Sequence, residues 1–292
     1  LPIYEEAHAD PESPKSEATG KMLAADYPTS DALRRALPGL VLAHNLYGVD
    51  IDPRCAQIAQ LALWMRAQKA YRHFSIGRAD RAQIRRSNIV VAEPLVVNEQ
   101  IAKEFVAKLG DAELGRVFTA LIESLTLAGE LGLLLRVEQL VSRRTKRGKT
   151  GDLFAPPEER IRAALAPFVS DDGAGANPRR RLFADDAAQG IGLLAVAEAK
   201  FDAVLMNPPF GDFAGRSQQE AKKQYPAGGN DIFTAMILRG RELLAADGRL
   251  GAITSRAFAL GRDHRRFREA LLGETGPRLA LLLDLGGGVL DK

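Results

Sequence analysis

A strand–helix–strand pattern in the first third of the chain limits the possible folds more than any other feature. Residues 46–51 and 87–95 form two short apolar runs with strand character, and a helical pattern separates them. Asp52 is a good N-cap and Pro53 stands where a first-turn proline is tolerated, so we predict a helix over 53–71. The residues predicted to face inward from this helix are Cys55, Ile58, Ala59, Ala62, Leu63 and Met65. This order of elements is typical of a parallel α/β sheet.

The chain changes character between residues 99 and 200, where Ala, Leu, Glu and Lys recur with helical spacing. The elements predicted there are two or three helices in 99–141, a basic loop at 143–149, a helix near 158–168, a loop at 171–178 and a helix at 184–199. Because strands are predicted before and after this segment, we interpret it as a helical insertion in the sheet.

The α/β pattern resumes at residue 201. The elements predicted from there are a strand at 201–206, a Gly-rich loop at 211–230, a helix at 231–246, a turn at Asp247-Gly248, a strand at 249–254, a basic helix at 262–273 and a strand at 278–285. We therefore divide the chain into 1–98, with an N-terminal loop at 8–31, the insertion 99–200, and 201–292.

Bulk composition excludes several classes of protein. A single cysteine, Cys55, excludes a disulfide framework and cysteine-rich zinc sites, and we expect its thiol to be buried. Since no apolar run reaches the roughly 18 residues that span a bilayer, we expect a cytoplasmic protein without membrane contact. The net charge of +3 permits nucleic-acid binding without requiring it. Both ends resemble cuts through folded elements, so we expect a chain truncated at both ends.

Asn207-Pro208-Pro209-Phe210 closes the strand predicted at 201–206. An exocyclic amine is a poor nucleophile because its lone pair is delocalised into the ring. The Asn207 amide oxygen and the Pro208 carbonyl can accept its two hydrogens and direct the lone pair at an electrophilic methyl group. Phe210 offers a flat face to an extruded base, worth roughly 1–3 kcal/mol. The alternative is an ordinary strand-terminating turn, because Asn and Pro are common turn formers.

Acidic residues end the first two predicted strands. Asp50 stands where an acidic residue commonly binds the hydroxyls of a ribose, and Ile51 beside it can cover an adenine face. Glu93, at the end of the next strand, can accept a hydrogen bond from the adenine amine. The alternatives are that Asp50 caps the helix together with Asp52, and that Glu93 belongs to an ordinary turn.

A nucleotide-like cofactor also needs a Gly-rich loop, and none precedes Asp50. Residues 172–176 are glycine-containing, but lack a convincing strand before them and an apolar helix after them, so we predict a plain loop. Residues 286–288 are glycines after an apolar run, so a permuted enzyme with a late cofactor loop stays an alternative.

The chain resembles the N6-adenine-specific DNA methyltransferases, most closely the large restriction and phage-defence (BREX-type) forms. Three segments in one order carry the resemblance: residues 47–53, residues 207–210, and residues 231–233 ahead of the strand at 249–254. It implies an α/β fold with a Rossmann-like S-adenosylmethionine-dependent methyltransferase sheet and a helical insertion. It further implies methyl transfer from S-adenosylmethionine to adenine in DNA, with other subunits of a restriction or phage-defence complex as partners.

The resemblance also assigns residues. Asp50, Ile51, Glu93 and Phe233 are implied to bind the cofactor. The residues implied to hold the flipped adenine are Asn207, Pro208 and Phe210 as catalytic residues, with Pro209 and Gly211 beside the base. The sequence departs from the family by lacking its first Gly-rich motif, and by having Leu290 where relatives often carry an aromatic residue.

Two groups of basic residues are candidates for contact with DNA phosphates. The first contains Arg143, Arg144, Lys146 and Arg147, and the second contains Arg265 and Arg266. Each can equally be a solvated face. No metal-ligand constellation accompanies His264, so we predict no metal site.

Two other functions stay open at this point. Asn-Pro-Pro turns also occur in protein-glutamine and RNA methyltransferases, where the same chemistry acts on another amine. A truncated remnant that binds DNA or a partner without turnover is the second alternative, because the Gly-rich loop is missing.

Overall fold

The computed structural model describes residues 2–16, 19–82, 84, 87–92, 99–125, 128–145, 157–170, 178–273 and 279–286. Contacts between residues divide the chain into two compact units, Leu1–Val91 and Ala92–Lys292. Within the described ranges each unit combines helices with one two-stranded parallel sheet, so the fold is mixed α/β as predicted. None of the helices in these ranges is long and apolar enough to cross a membrane.

Helical elements precede the first strand. They are α1 (Pro2–Ala9), α2 (Leu23–Asp26), α3 (Ser30–Leu40) and a π-helical turn, Val41–Asn45. The loop predicted at 8–31 is therefore wrong in part, because α2 forms within it and α3 begins at its end. The Thr29 hydroxyl caps α3 by accepting a hydrogen bond from the Ala32 N–H at 3.1 Å. Leu33 and Leu37, one turn apart, are buried and hold the helix in place.

The predicted strand–helix–strand unit is confirmed. β1 (Tyr47–Asp50) and β2 (Asn88–Val91) pair in parallel, and α4 (Pro53–His73) connects them. Asp52 caps α4 by accepting a hydrogen bond from the Arg54 N–H at 2.9 Å.

The register of this pair places Tyr47 opposite Asn88 and Asp50 opposite Val91. Asn88 is buried, and its side-chain amide donates a hydrogen bond to the Ala43 carbonyl at 2.7 Å. The one polar side chain of β2 is thereby satisfied and ties the strand to the π-helical turn.

The buried face of α4 differs from the prediction. Ala56, Ala67 and Tyr71 are buried, whereas Cys55 is exposed and Ile58 keeps 67% of its surface exposed. The prediction of a buried Cys55 thiol is therefore wrong. Two strands of four residues cover only part of a helix of 21 residues, so much of the apolar surface of α4 stays exposed.

The second unit begins with helices packed around four phenylalanines. The helices are α5 (Glu99–Leu109), α6 (Ala112–Ser124), α7 (Ala128–Leu131), α8 (Val137–Thr145), α9 (Pro157–Ser170) and α10 (Pro178–Glu198), with a 3-10 turn, Gly132–Leu134, before α8. Five edge-to-face contacts, with ring centroids 4.9 to 5.9 Å apart, join the rings of Phe105, Phe118, Phe168 and Phe183. This is a geometry that aromatic pairs prefer.

The helical character predicted for 99–200 is confirmed for the described residues, with one correction. The basic loop predicted at 143–149 is wrong at its start, because α8 continues to Thr145 and includes the backbone of Arg143 and Arg144. The loop predicted at 171–178 falls at 171–177 outside the described residues, and residue 178 begins α10. The division of the chain at residues 98 and 200 stays a prediction.

The second parallel pair consists of β3 (Phe201–Met206) and β4 (Leu244–Ala252). In register, Phe201 lies opposite Leu244 and Met206 opposite Ala252, with a register shift between positions 201 and 203. The predicted turn at Asp247-Gly248 is wrong, because β4 begins earlier than expected and the extra residues are taken up at this irregularity.

Short helical elements lie between β3 and β4 and after β4 along the chain. They are α11 (Gly215–Gln224), α12 (Ile232–Glu242), α13 (Ala257–Leu260), a 3-10 turn, Arg262–His264, and α14 (Arg265–Leu272). α11 corrects the loop predicted at 211–230. The strand predicted at 278–285 is wrong over the described residues 279–286, which are exposed and not paired with a strand.

Packing between α12 and the second sheet depends on Gly240. A Cβ at this position would lie 2.4 Å from the Met206 side chain and 2.8 Å from Leu250. Glycine therefore lets the helix backbone approach the sheet closely, and Phe233, Ile237 and Phe267 complete the core beside it.

Candidate functional site

The turn after β3 presents a polar side chain at the carboxyl end of a parallel strand. The Met206 carbonyl accepts a hydrogen bond from the Ile253 N–H at 3.0 Å, which holds the last residue of the strand against β4. Asn207 follows and is exposed, and no described residue hydrogen-bonds to its side chain. Because a following proline restricts it to extended backbone, Asn207 continues the strand direction away from the sheet.

The two prolines of the turn have different surroundings. Pro208 is buried and Pro209 is exposed. Among the described residues, none donates a hydrogen bond to the Pro208 carbonyl. Both oxygen acceptors predicted for an exocyclic amine, on Asn207 and Pro208, are thus without protein partners in the part of the chain that the structure describes.

Phe210 is a half-exposed ring at the edge of a group of aromatic side chains. It keeps 49% of its surface exposed and contacts Phe233 edge to face, with ring centroids 6.4 Å apart. Phe233, only 1% exposed, also contacts His264 at 5.6 Å and Phe267 at 6.4 Å. Phe233 supports Phe210 from below, and its predicted contact with a cofactor stays a prediction.

Backbone contacts tie the loop after Phe210 to the start of α12. Gly211 has φ of +128°, a conformation that favours glycine, and its carbonyl accepts a hydrogen bond from the Ile232 N–H at 3.0 Å. Asp212 and Asp231 form an isolated antiparallel bridge. The loop therefore has a defined path over the N-terminus of α12.

Asp231, which the sequence analysis used only as a helix start, lies at this junction. Burial raises the pKa of its carboxyl, and the nearby Asp212 carboxylate raises it further, while the Phe233 N–H, His264 and the Gly211 N–H lower it. Its Oδ1 atom is buried and has no hydrogen-bond partner among the described residues. An aspartate directly before an apolar helix is a common N-cap pattern, so the sequence did not indicate that this carboxyl is partly buried.

A buried ionic cluster, which we call the Arg239 cluster, connects α12 with the preceding helices. It consists of Arg239, Glu138, Glu242 and Arg136. Arg239 is 3% exposed and donates to Glu138 at 3.0 Å, to Glu242 at 3.3 Å and to the Leu133 carbonyl at 3.1 Å. Arg136 forms an ion pair with Glu242. The sequence signal was an arginine inside an otherwise apolar helix, and it was missed.

Tyr225 adds a second connection to the same helices. Its hydroxyl donates a hydrogen bond to the Leu134 carbonyl at 3.0 Å, and the Arg136 guanidinium lies 4.4 Å from its ring centroid. Burial raises the pKa of this phenol. α11, which ends at Gln224, is thereby held against the helical part of the unit.

The predicted cofactor residues in the first unit lie around the end of β1. Asp50 accepts a hydrogen bond through Oδ1 from the Asp52 N–H at 2.8 Å, and its Oδ2 atom has no partner among the described residues. Ile51 is 53% exposed. The Arg54 side chain, which donates to Asp52 at 2.7 Å, lowers the pKa of Asp52 to about 2. Glu93 lies outside the described residues.

The structure describes some of the basic candidates. Arg143 and Arg144 lie in α8 at the level of the backbone, and Lys146 and Arg147 lie outside the described residues. Arg265 and Arg266 are exposed at the start of α14, where Arg265 pairs with Glu269 at 2.8 Å. In the described ranges no group of His, Cys, Asp and Glu residues is arranged to hold a metal ion.

Comparison with known proteins identifies the family. The family model described as "Eco57I restriction-modification methylase" matches residues 44–286, which is most of the chain. The chain is 26% identical over 263 residues to the "Adenine-specific methyltransferase BrxX" of Escherichia coli O9:H4, covering 86% of this chain and 21% of BrxX. It is also 30% identical over 76 residues to the "Putative type II restriction enzyme and methyltransferase RM.MjaORFECS2P" of Methanocaldococcus jannaschii, covering 26% of this chain and 6% of that protein.

The chain thus spans about a fifth of the length of BrxX. The matched range includes β1, the Asn207–Phe210 turn, α12 and β4. The chain belongs to the Eco57I restriction-modification methylase family.

Proposed function

We propose that this protein transfers a methyl group from S-adenosylmethionine to N6 of an adenine that is flipped out of duplex DNA. Family membership supports a DNA methylase, and the name of the BrxX relative supports adenine as its target. The observation that carries the proposal is the Asn207–Phe210 turn at the carboxyl end of β3, in which Asn207 and Phe210 are exposed.

The fold proposed for this activity is a Rossmann-like sheet with a helical insertion. Two parallel pairs, β1–β2 and β3–β4, support it, because parallel strands connected through helices are the units of such a sheet. A setting in restriction or phage defence, partner subunits and a cytoplasmic location are proposed from the family resemblance alone.

The residues of the turn have different roles in binding the base. Extruding an adenine costs a few kcal/mol, and stacking on the half-exposed ring of Phe210 offsets part of that cost. The Asn207 amide oxygen and the Pro208 carbonyl accept the two amine hydrogens and orient the nitrogen lone pair. Pro209 and Gly211 flank the base. Catalysis by these residues is positioning rather than acid–base chemistry.

The residues around β1 fit the cofactor in part. The free Oδ2 atom of Asp50 can accept a ribose hydroxyl, and the exposed Ile51 can cover one face of the adenine ring. Glu93 is proposed for the adenine amine. Phe233 contributes by supporting Phe210, since 1% exposure leaves little ring surface for a ligand. S-Adenosylmethionine, when bound, supplies the electrophilic methyl group.

A methylation assay tests the proposal. Duplex DNA is incubated with the full-length protein and methyl-labelled S-adenosylmethionine, and N6-methyladenine is measured after digestion. Asn207→Ala should lower kcat about 10²-fold, the effect of removing one well-placed hydrogen-bonding group in an active site. Asn230→Ala removes another exposed asparagine of the same unit and should leave kcat unchanged.

The assay also separates the alternatives. Labelling of ribosomal RNA or of a release factor instead of DNA would contradict the proposal and favour the other amine substrates. Wild-type rates of N6-methyladenine formation in Asn207→Ala would show that the turn is not the catalytic site.

A further inference from the structure

α11 begins close to the turn proposed to hold the adenine. Only four residues separate Phe210 from Gly215, the first residue of this helix. Within that short connection Phe213 is buried, and the Gly211 carbonyl is bound by the Ile232 N–H. The distance of α11 from Phe210 is therefore set by a short loop that is fixed at two points.

The inward face of α11 is anchored to the protein. Ser217 and Ala221 are buried, and the Ser217 hydroxyl lies 2.6 Å from two acceptors, a Glu130 carboxylate oxygen and the Ala214 carbonyl, which share its one proton. A Cβ at Gly229 would lie 2.4 Å from the Ala221 carbonyl oxygen, so the following turn packs directly against the helix backbone. α11 is therefore a preorganised element rather than a loosely attached one.

The outward face of α11 is cationic. Arg216, Lys222 and Lys223 are all exposed, and none of them forms an ion pair with a described residue. The single carboxylate of the helix, Glu220, accepts a hydrogen bond from the Gln224 side chain at 2.7 Å. This differs from Arg265 on α14, whose charge is paired with Glu269.

These observations together point to a polyanion beside the catalytic turn. An anchored helix can present cations without a further entropic cost of ordering the backbone. Phosphates are the groups nearest to a base that has left the duplex, and Lys and Arg side chains neutralise them.

We infer that α11 binds the DNA backbone beside the flipped adenine, with Lys222 and Lys223 contacting phosphates and Arg216 contributing to the same surface. The inference rests on the proposed function, which it deepens by assigning an interaction surface. Arg216, Lys222 and Lys223 are not among the basic residues that the sequence analysis proposed for contact with DNA phosphates.

Salt-dependent DNA binding tests the inference. Binding of the full-length protein to a labelled duplex of about 30 base pairs is followed by fluorescence anisotropy between about 50 and 200 mM salt, a range over which phosphate contacts strongly affect affinity. Loss of two phosphate contacts in Lys222→Ala/Lys223→Ala should reduce the slope of log K against log salt by about 1.8. Lys222→Arg/Lys223→Arg should keep the wild-type slope, because it keeps both charges.

A matched control removes two exposed cations elsewhere in the same unit. Lys103→Ala/Arg116→Ala, on α5 and α6, should leave the slope at the wild-type value. An equal reduction in this control would show a general charge effect and overturn the inference.

The outcomes distinguish the inference from the function on which it rests. If the wild-type protein methylates DNA but Lys222→Ala/Lys223→Ala keeps the wild-type slope, the assignment of α11 is wrong and the proposed function survives. If the wild-type protein neither binds nor methylates DNA, the proposed function itself fails.

Discussion

The turns after β1 and β3 both leave the carboxyl end of a parallel strand, but different contacts hold them. After β1, Asp50 and Asp52 make their hydrogen bonds to groups within two residues along the chain. After β3, Phe210 rests on Phe233, and the loop is bound to residues some twenty positions later. One turn is organised by local capping and the other by tertiary contacts.

The carboxylates beside the two turns, Asp52 and Asp231, have pKa values shifted in opposite directions. Asp52 is solvated and has a lowered pKa because of Arg54, whereas burial raises the pKa of Asp231. A lowered pKa stabilises the folded protein at neutral pH, and a raised one destabilises it there. Mutations at the two turns should therefore differ in size and in the sign of their pH dependence.

The largest effect is expected from the Arg239 cluster, which ties α12 to the preceding helices. Arg239→Met removes the buried cation and leaves Glu138 and Glu242 without it, which should lower the free energy of unfolding by about 3–5 kcal/mol. Urea denaturation measures the change. Arg116→Met, at an exposed site on α6, should change stability by less than about 0.5 kcal/mol. A loss no larger than that control would show that the cluster does not stabilise this region.

A smaller effect on thermal stability, whose direction follows from the pKa shift, is expected at Asp231. The raised pKa means that its ionised form is disfavoured in the folded protein, so its contribution to stability is lost as pH rises through that pKa. Asp231→Asn, a neutral isostere, should therefore have a higher Tm than wild type at pH 8, and the difference should shrink toward pH 4. Asp212 and His264 both act on this carboxyl, Asp212 by raising its pKa and His264 by lowering it.

Asp247→Asn is the control for that profile, because Asp247 is exposed on β4. Its Tm difference from wild type should be the same at pH 5 and pH 8, because the substitution is made at a solvent-exposed position. If the Tm difference between Asp231→Asn and wild type is also independent of pH, the raised pKa assigned to Asp231 is wrong.

The smallest effect is expected at Asp52, whose contacts are local and solvent-exposed. Its folded-state pKa of about 2 lies below its ordinary value of 3.8, so its stabilisation of the folded protein is present above pH 3.8 and is lost as the pH falls toward 2. Thermal unfolding of Asp52→Ala should show a lower Tm than wild type at pH 7, and the gap should narrow between pH 4 and pH 3. Asp80→Ala, at an exposed aspartate of the same unit, should show no such narrowing.

Local patterns predicted the elements that short-range interactions control. β1, the Asp52 cap, α4, β2 and β3 follow from strand-forming runs and a cap–proline pair. All were predicted close to their observed bounds except β2, which ends at Val91, whereas the prediction continued to residue 95, beyond the described residues. The Asn207–Phe210 turn was equally visible, because prolines restrict their own backbone and that of the preceding residue. Such features need only a few consecutive residues, so no tertiary information was required.

Tertiary structure decided which side of each element is buried and which distant groups meet. Periodicity showed an apolar stripe on α4, but Cys55 and Ile58 are exposed because the partner sheet contacts another stripe. Arg239 and Tyr225 connect to α8 and the turn before it over about a hundred residues, and no local pattern predicts those contacts. The polar and aromatic groups of the Asn207–Phe210 turn are set by consecutive residues, whereas the packing that supports the turn depends on burial and long-range contacts that form only when the chain has folded.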